Sequence, residues 1–130
     1  MRRELTLTGD KIDEPALLAR RSISPATGAV ASFFGIVRGE EERQPIAALH
    51  YEAFEAMALH QLDLLFDQVE KRWPVESVRL VHRTGRVEAG ESSLWVEVTA
   101  PHRQEAFAAC QFLIDEMKKV VPIWKRPLEQ

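Results

Sequence analysis

Residues Ser93–Val120 read SLWVEVTAPHRQEAFAACQFLIDEMKKV and join a predicted strand to a predicted long helix. The strand covers Ser93 to Ala100, and the helix covers Arg103 to Val120. Apolar residues recur along the helix at three- and four-residue steps, which is the spacing of a helix with one buried face. The predicted buried face comprises Ala106, Cys110, Leu113, Met117 and Val120.

A second long helix is predicted upstream, from Phe54 to Trp73, and Pro74 ends it. Its predicted apolar positions are Leu59, Leu62, Phe66, Val69 and Trp73. Further strands are predicted at Arg3–Thr8, Ala29–Val37, Ile46–Glu52 and Glu76–Arg83, with a short helix at Asp13–Arg21 and a short terminal strand at Ile123–Trp124. Two helices among antiparallel-prone strands indicate an α+β fold, with the helices on one face of a mixed or antiparallel sheet.

Two polar segments are predicted to lack regular structure. Glu40–Pro45 is acidic and broken by proline, which is typical of a mobile loop. Thr84–Glu91 contains two glycines and is predicted as the turn between two strands.

The composition predicts one domain over residues 1–130 that has its own apolar core. Hydrophobic residues make up 45% of the chain and charged residues 28%, as in ordinary globular proteins. The lone Cys110 excludes an internal disulfide and favours a cytoplasmic location. Neither a secretory leader nor a membrane-crossing run is recognisable, so no membrane association is expected.

The charge distribution indicates a small anionic ligand rather than a nucleic acid. The net charge is −3, whereas nucleic-acid-binding domains carry basic stripes and a high isoelectric point. Residues 10–70 contain 11 acids and 5 bases, but residues 71–130 contain 8 acids and 10 bases. Positive potential is therefore concentrated late in the chain.

Several of the bases fall at the ends of predicted elements, where binding sites are commonly built. Arg38 follows an apolar strand and offers a planar fork for a phosphate or carboxylate, although it could equally be a solvated loop residue. His102 and Arg103 begin the long helix, whose free N–H groups favour an anion. The alternative for this pair is a histidine helix cap beside a surface arginine.

The remaining candidates lie near the C-terminus. Lys118 and Lys119 suit the C-terminal dipole of the helix, and this alone would explain them. Lys125 and Arg126 flank Trp124 and form either part of a site or a frayed basic tail. Cys110 is predicted to be a buried apolar residue rather than a catalytic thiol. The histidines lack metal-site spacing, so no metal is expected.

Taken together, a series of short motifs resembles the catalytic (large) subunit family of molybdopterin synthase. Each motif is weak alone, but they occur in order from Gly28 onward: Gly28-Ala29, Phe34-Gly35-Ile36-Val37-Arg38, Leu49-His50-Tyr51-Glu52-Ala53-Phe54 with Met57-Ala58, His82-Arg83-Thr84-Gly85, Gly90-Glu91, His102-Arg103-Gln104-Glu105-Ala106-Phe107 and Pro122-Ile123-Trp124-Lys125.

The resemblance implies an α/β hammerhead-type fold with a smaller β subdomain, and a homodimer. It also implies a small ubiquitin-like sulfur-carrier subunit at each end of the dimer, which makes a heterotetramer. The implied reaction converts cyclic pyranopterin monophosphate to molybdopterin. Two sulfurs arrive from the thiocarboxylate on the C-terminal Gly-Gly of the carrier, and no cofactor is implied.

The resemblance also implies roles for individual residues. Lys118 and Lys125 match lysines that act at the reacting centre. The implied substrate-binding set is Val37, Arg38, His102, Arg103, Lys118, Lys125 and Arg126. Two features depart from the family: Pro127 stands where glutamate is usual, and the chain ends at Gln130 without the usual C-terminal arm. Both departures leave reduced activity or a divergent paralogue open as an alternative.

Geometry constrains how these residues meet. Arg103 and Lys118 are 15 positions apart on one predicted helix, or about 22 Å along its axis at about 1.5 Å per residue. Either the helix breaks, or the site joins Lys118 of one subunit to His102 and Arg103 of the other, which we favour.

Two alternatives to this function remain. One is a non-catalytic dimeric scaffold that binds the carrier, which the retained cluster of bases argues against. The other is an anion-binding regulatory module that needs no partner.

Overall fold

The computed structural model describes residues 1–130 and contains three helices and nine strands. The helices are α1 Glu14–Ala19, α2 Glu55–Arg72 and α3 Arg103–Val120. The strands are β1 Arg2–Thr8, β2 Ala29–Ile36, β3 Glu40–Glu41, β4 Gln44–Pro45, β5 Ala48–Ala53, β6 Ser77–Arg83, β7 Gly85–Glu88, β8 Ser92–Ala100 and β9 Ile123–Leu128. None of the helices has the length and apolar character needed to cross a membrane.

The main sheet has four strands in the order β1-β6-β8-β2. β1 runs parallel to β6, and the other neighbours are antiparallel, so the sheet is mixed. The long helices α2 and α3 share the main core of 19 buried residues with one face of this sheet. The predicted α+β arrangement is therefore confirmed. On the opposite face, α1 buries Leu17 with Ile12, Val81 and Trp95.

α3 has the predicted extent, and α2 is one residue shorter at each end than predicted, but the buried faces of both helices differ from the predicted ones. In α2, Ala58 and Leu65 are buried, whereas the predicted core residue Leu59 is 36% exposed. In α3, Val120 is 47% exposed, and Val121 just beyond the helix is buried instead. The backbone of Val121 is extended rather than helical, and this change of conformation turns the Val121 side chain toward the core.

A second, smaller sheet has the antiparallel order β7-β5-β9. Its core contains only Val37, Ile46, Leu49 and Val87. β7 lies within the segment predicted as a turn, and its Gly85 has a φ of +79°, a conformation that glycine adopts without strain. β9 is a full six-residue strand, so the alternative of a frayed basic tail is wrong.

The acidic segment Glu40–Pro45 is also ordered, which corrects the prediction of a mobile loop. β3 and β4 form a two-stranded hairpin whose turn residues Glu42 and Arg43 have φ values of 48° and 67°. Such turns usually contain glycine or asparagine. Because this turn contains neither, its sequence lacks the usual hairpin signal.

A buried ion cluster joins the main sheet to the segment after α1. Glu97 is 1% exposed, and its carboxylate accepts two hydrogen bonds of 3.0 Å from the Arg79 guanidinium. Arg21 donates a third at 2.7 Å. The Arg79 guanidinium also lies 4.9 Å from the Trp95 ring. Glu97 therefore neutralises Arg79, which is shielded from water on this face, and the partly exposed Arg21.

Gly28 is a position where a side chain has no room. A Cβ atom there would lie 2.0 Å from the Pro101 carbonyl oxygen, and the Gly28 N–H donates to the Ala100 carbonyl at 3.0 Å. This close approach joins the start of β2 to the junction between β8 and α3. The packing of this junction therefore fixes the backbone from which His102 and Arg103 project.

We expect Gly28→Ala to lower the free energy of unfolding by about 1–3 kcal/mol, because the Pro101 backbone must move to admit the methyl group. Urea denaturation measures the change. Gly9→Ala is the matched control, since a Cβ at Gly9 meets nothing within 4 Å. Equal stabilities of the two variants would contradict the close approach.

Candidate functional site

A cleft of about 400 Å³ lies between α3 and the inner ends of the two sheets. Its walls are mainly apolar and include Phe33, Leu94 and Met117. The only cationic side chains that line it are those of Lys118 and Lys125. A largely apolar pocket with a few convergent polar groups is the usual form of a small-molecule site.

The two lysines reach this cleft from different elements. Lys118 lies in the last turn of α3, directly after the buried Met117. Pro122 then separates the helix from β9, in which Lys125 pairs with Tyr51 of β5. The Phe54 N–H donates to the Pro122 carbonyl at 3.2 Å and anchors this corner. The short connection between helix and strand is what brings both ammonium groups to one cleft.

The acidic hairpin reaches the same site. The Glu41 carboxylate of β3 lies 3.6 Å from the Lys125 Nζ. Lys125 is about half exposed, so this ion pair contributes little to stability. Its consequence is positional, because it gives Lys125 a carboxylate neighbour from a segment 84 positions earlier in the chain.

Three of the predicted substrate-binding residues lie next to the cleft but do not line it. Arg38 borders a separate polar depression together with Glu40 and Arg43. Val37 is buried in the small core, and its N–H and C=O groups both bond to the β7–β8 turn. Arg126 neighbours Lys125 in β9, and successive strand residues point to opposite faces, so it faces away.

His102 and Arg103 lie at the other end of α3. The helix is continuous from Arg103 to Val120, which eliminates a break as the way to bring Arg103 near Lys118. The His102 Nδ1 lies 3.2 Å from a Glu105 carboxylate oxygen, which also accepts the His102 backbone N–H at 3.1 Å. His102 thus takes part in capping α3, while its side chain remains 80% exposed. Within one chain, this pair is separate from the cleft.

Cys110 plays no part in this cleft. It is buried on the core face of α3, and burial raises the pKa of its thiol to about 11. The thiol is therefore protonated at neutral pH and a poor nucleophile, as predicted for a residue that packs as a small apolar side chain.

Sequence reasoning missed most of the residues that line the cleft, among them Tyr51, His82, Ser93 and Trp124. His82 was considered only as a metal ligand. Burial lowers the pKa of its imidazole, so the ring is neutral at pH 7. The one available signal was its place in the motif His82-Arg83-Thr84-Gly85, because the composition of a buried strand does not distinguish a cleft histidine from a core histidine.

Comparison with known proteins identifies the relatives of this chain. The family model described as MoaE protein matches residues 7–120. The molybdopterin synthase catalytic subunit of Pyrococcus abyssi is 40% identical over 103 residues, which cover 79% of this chain and 70% of that protein.

Solved structures share the fold. Molybdopterin synthase from Staphylococcus aureus superposes with a TM-score of 0.87 at 29% identity, over 95% of this chain and 90% of that one. A chain from the complex of subunits 1 and 2 of molybdopterin-converting factor from Helicobacter pylori superposes with a TM-score of 0.76 at 24% identity, over 98% and 85% of the two chains.

Proposed function

The chain belongs to the MoaE protein family, and from this membership we propose that it is the catalytic subunit of a molybdopterin synthase in molybdenum cofactor biosynthesis. The substrate is cyclic pyranopterin monophosphate. Two sulfurs from the C-terminal thiocarboxylate of a small ubiquitin-like carrier subunit convert it to the dithiolene of molybdopterin. The observation that supports this proposal best is the convergence of Lys118 and Lys125 on one cleft.

The chemistry of the cleft fits a small anion that must react away from water. Two ammonium groups provide charge-assisted hydrogen bonds to phosphate or to oxygen atoms on which negative charge develops. The apolar walls lower the local dielectric constant and strengthen these interactions. A protonated lysine can serve as a general acid, and a lysine that has lost its proton can serve as a base or as the acceptor of the acyl group from the thiocarboxylate.

The proposal includes a small carrier subunit and a cytoplasmic location. The related H. pylori chain belongs to a complex of two subunits, which supports a two-subunit assembly for this chain as well. The lone Cys110 agrees with a reducing compartment.

The continuous α3 supports a site shared between two copies of the chain. Because His102 and Arg103 lie about 22 Å from Lys118 along the helix, a pterin monophosphate cannot contact both ends within one subunit. A homodimer that places one copy's His102 and Arg103 beside the other copy's Lys118 brings these substrate-binding residues together in one site. In that arrangement Arg38 borders the same site from its neighbouring depression.

Reconstitution tests the function directly. Purified protein, a thiocarboxylated carrier and cyclic pyranopterin monophosphate are expected to yield a dithiolene product. Carrier binding without product would instead support the dimeric scaffold, and binding of the pterin phosphate without carrier binding would support the regulatory module.

Mixed dimers test the shared site. Lys118→Ala and Arg103→Ala homodimers are each expected to be inactive. After unfolding and refolding together, random pairing should restore up to about a quarter of the wild-type activity, because half of the dimers are mixed and each mixed dimer has one intact site. If both homodimers are inactive and mixing restores nothing, the site lies within single subunits.

A further inference from the structure

The cleft contains a group of polar side chains that the two lysines do not explain. Tyr51 of β5, His82 of β6 and Ser93 of β8 line its floor. These three strands belong to both sheets, so the group lies where the sheets meet. Buried polar groups require partners, and the partners of these three determine which hydrogen-bonding atoms remain available to a ligand.

The tautomer of His82 follows from its single hydrogen bond. Its Nδ1 lies 2.7 Å from the Arg83 carbonyl oxygen. A carbonyl oxygen only accepts, so Nδ1 carries the proton. Because burial lowers the pKa of this imidazole, Nε2 bears a lone pair at neutral pH. No protein group hydrogen-bonds to Nε2, although the residue is only 6% exposed.

Tyr51 and Ser93 form a directional chain next to His82. The Tyr51 hydroxyl donates to the Ser93 Oγ at 3.2 Å, and Ser93 donates its own proton to the Gly35 carbonyl at 3.2 Å. Because the Tyr51 hydroxyl proton is engaged in this bond, the hydroxyl oxygen can interact with a ligand only as an acceptor. The Tyr51 ring packs edge-on against the His82 ring, with centroids 5.2 Å apart. This packing restricts rotation of the imidazole.

The polar atoms of the cleft are therefore divided by type. Lys118 and Lys125 supply donors, whereas His82 Nε2 and the Tyr51 hydroxyl oxygen supply acceptors. A ligand that satisfies both sets has an anionic or carbonyl group and, at its other side, N–H or O–H donors. A ligand that lacks the donors shields the Nε2 lone pair from water without supplying a hydrogen bond in its place, which weakens binding.

We propose that His82 Nε2 accepts a hydrogen bond from an N–H group of the bound pterin and makes His82 a specificity-determining residue of this cleft. This inference rests on the proposed function, because the pterin is the ligand that this function brings to the cleft. Tyr51 and Ser93 hold the imidazole in place, and the lysines bind the oxygen atoms of the same ligand.

Two substitutions separate the roles of the two ring nitrogens. The amide nitrogen of His82→Asn replaces Nδ1 and still donates to the Arg83 carbonyl, but nothing replaces Nε2. The longer side chain of His82→Gln places an amide oxygen near the position of Nε2 and loses the bond to Arg83. We expect His82→Asn to raise KM for the pterin about tenfold with little change in melting temperature. His82→Gln is expected to melt earlier and to keep a KM near that of the wild type.

Controls separate this inference from the proposed function. His60→Asn changes an exposed histidine of α2 and should leave KM unaltered. If the wild type forms product and His82→Asn has the wild-type KM, this inference alone is overturned. If the wild type forms no product, the proposed function fails and the inference fails with it.

Nitrogen-15 NMR of the wild type at pH 7 adds a test that needs no activity. The His82 Nδ1 is expected to be protonated and its Nε2 unprotonated, and a proton on Nε2 would overturn the inference.

Discussion

Lys118→Ala is expected to lower kcat by about 10²–10⁴-fold, the range for loss of a positioned acid–base group. This change corresponds to about 3–5 kcal/mol of transition-state stabilisation. Lys118 is one of only two cations in the cleft, so no neighbouring group replaces it. The rate of dithiolene formation under saturating carrier and pterin measures the loss.

Lys119 provides a matched control, because it is the next residue of the same helix and its Nζ lies 3.8 Å from Glu116 rather than in the cleft. Lys119→Ala should retain nearly full activity. Lys118→Arg keeps the positive charge but cannot release a proton at neutral pH. If Lys118→Arg retains activity, the role of Lys118 is electrostatic, and a fully active Lys118→Ala would remove Lys118 from the mechanism.

Glu97→Leu is expected to lower the free energy of unfolding by about 3–5 kcal/mol, the cost of leaving one member of a buried ion pair without its partner. The Arg79 guanidinium would keep only the Glu4 carboxylate, 3.8 Å from its Nη1. Arg21 is 29% exposed and can turn toward water, so the loss arises mainly at Arg79. Urea denaturation gives the difference between wild type and variant.

Arg79→Leu combined with Glu97→Leu tests the cause. Because the double variant contains no unpaired buried charge at these positions, it should recover most of the lost stability. Glu4→Gln, which changes a partly exposed partner of Arg79, should cost less than about 1 kcal/mol. A double variant as unstable as Glu97→Leu would show that packing rather than charge is responsible.

The long elements of the fold could be predicted because their signals are local. Apolar residues at helical spacing defined α3 to the residue, and the predicted strands of the main sheet match the observed ones closely. The hairpin of β3 and β4 and the short strand β7 were missed. These strands are only two to four residues long, so their own sequences carry no periodic signal. β3 and β4 pair with each other across a turn of unusual composition, and β7 forms only by pairing with the distant β5. The single-domain assignment for residues 1–130 remains a prediction.

The candidate site was predictable only in part. The motifs pointed to Lys118 and Lys125, and the structure brings these two together. Their catalytic roles and the substrate contacts of Arg38, His102, Arg103, Val37 and Arg126 remain predictions. Apart from the motifs that contain them, nothing in the local sequence indicates Tyr51 or His82 as cleft residues, because the packing of the two sheets against each other places them there.

The two sheets have very unequal cores, with 19 buried residues around the larger one and four within the smaller. Local opening begins where the least apolar area is buried. On warming, β9 should therefore separate from β5 while α2, α3 and the main sheet remain folded. This separation moves Lys125 away from Lys118. Moderate heating would then abolish the activity of this protein reversibly, at temperatures where its helical signal in circular dichroism is still intact.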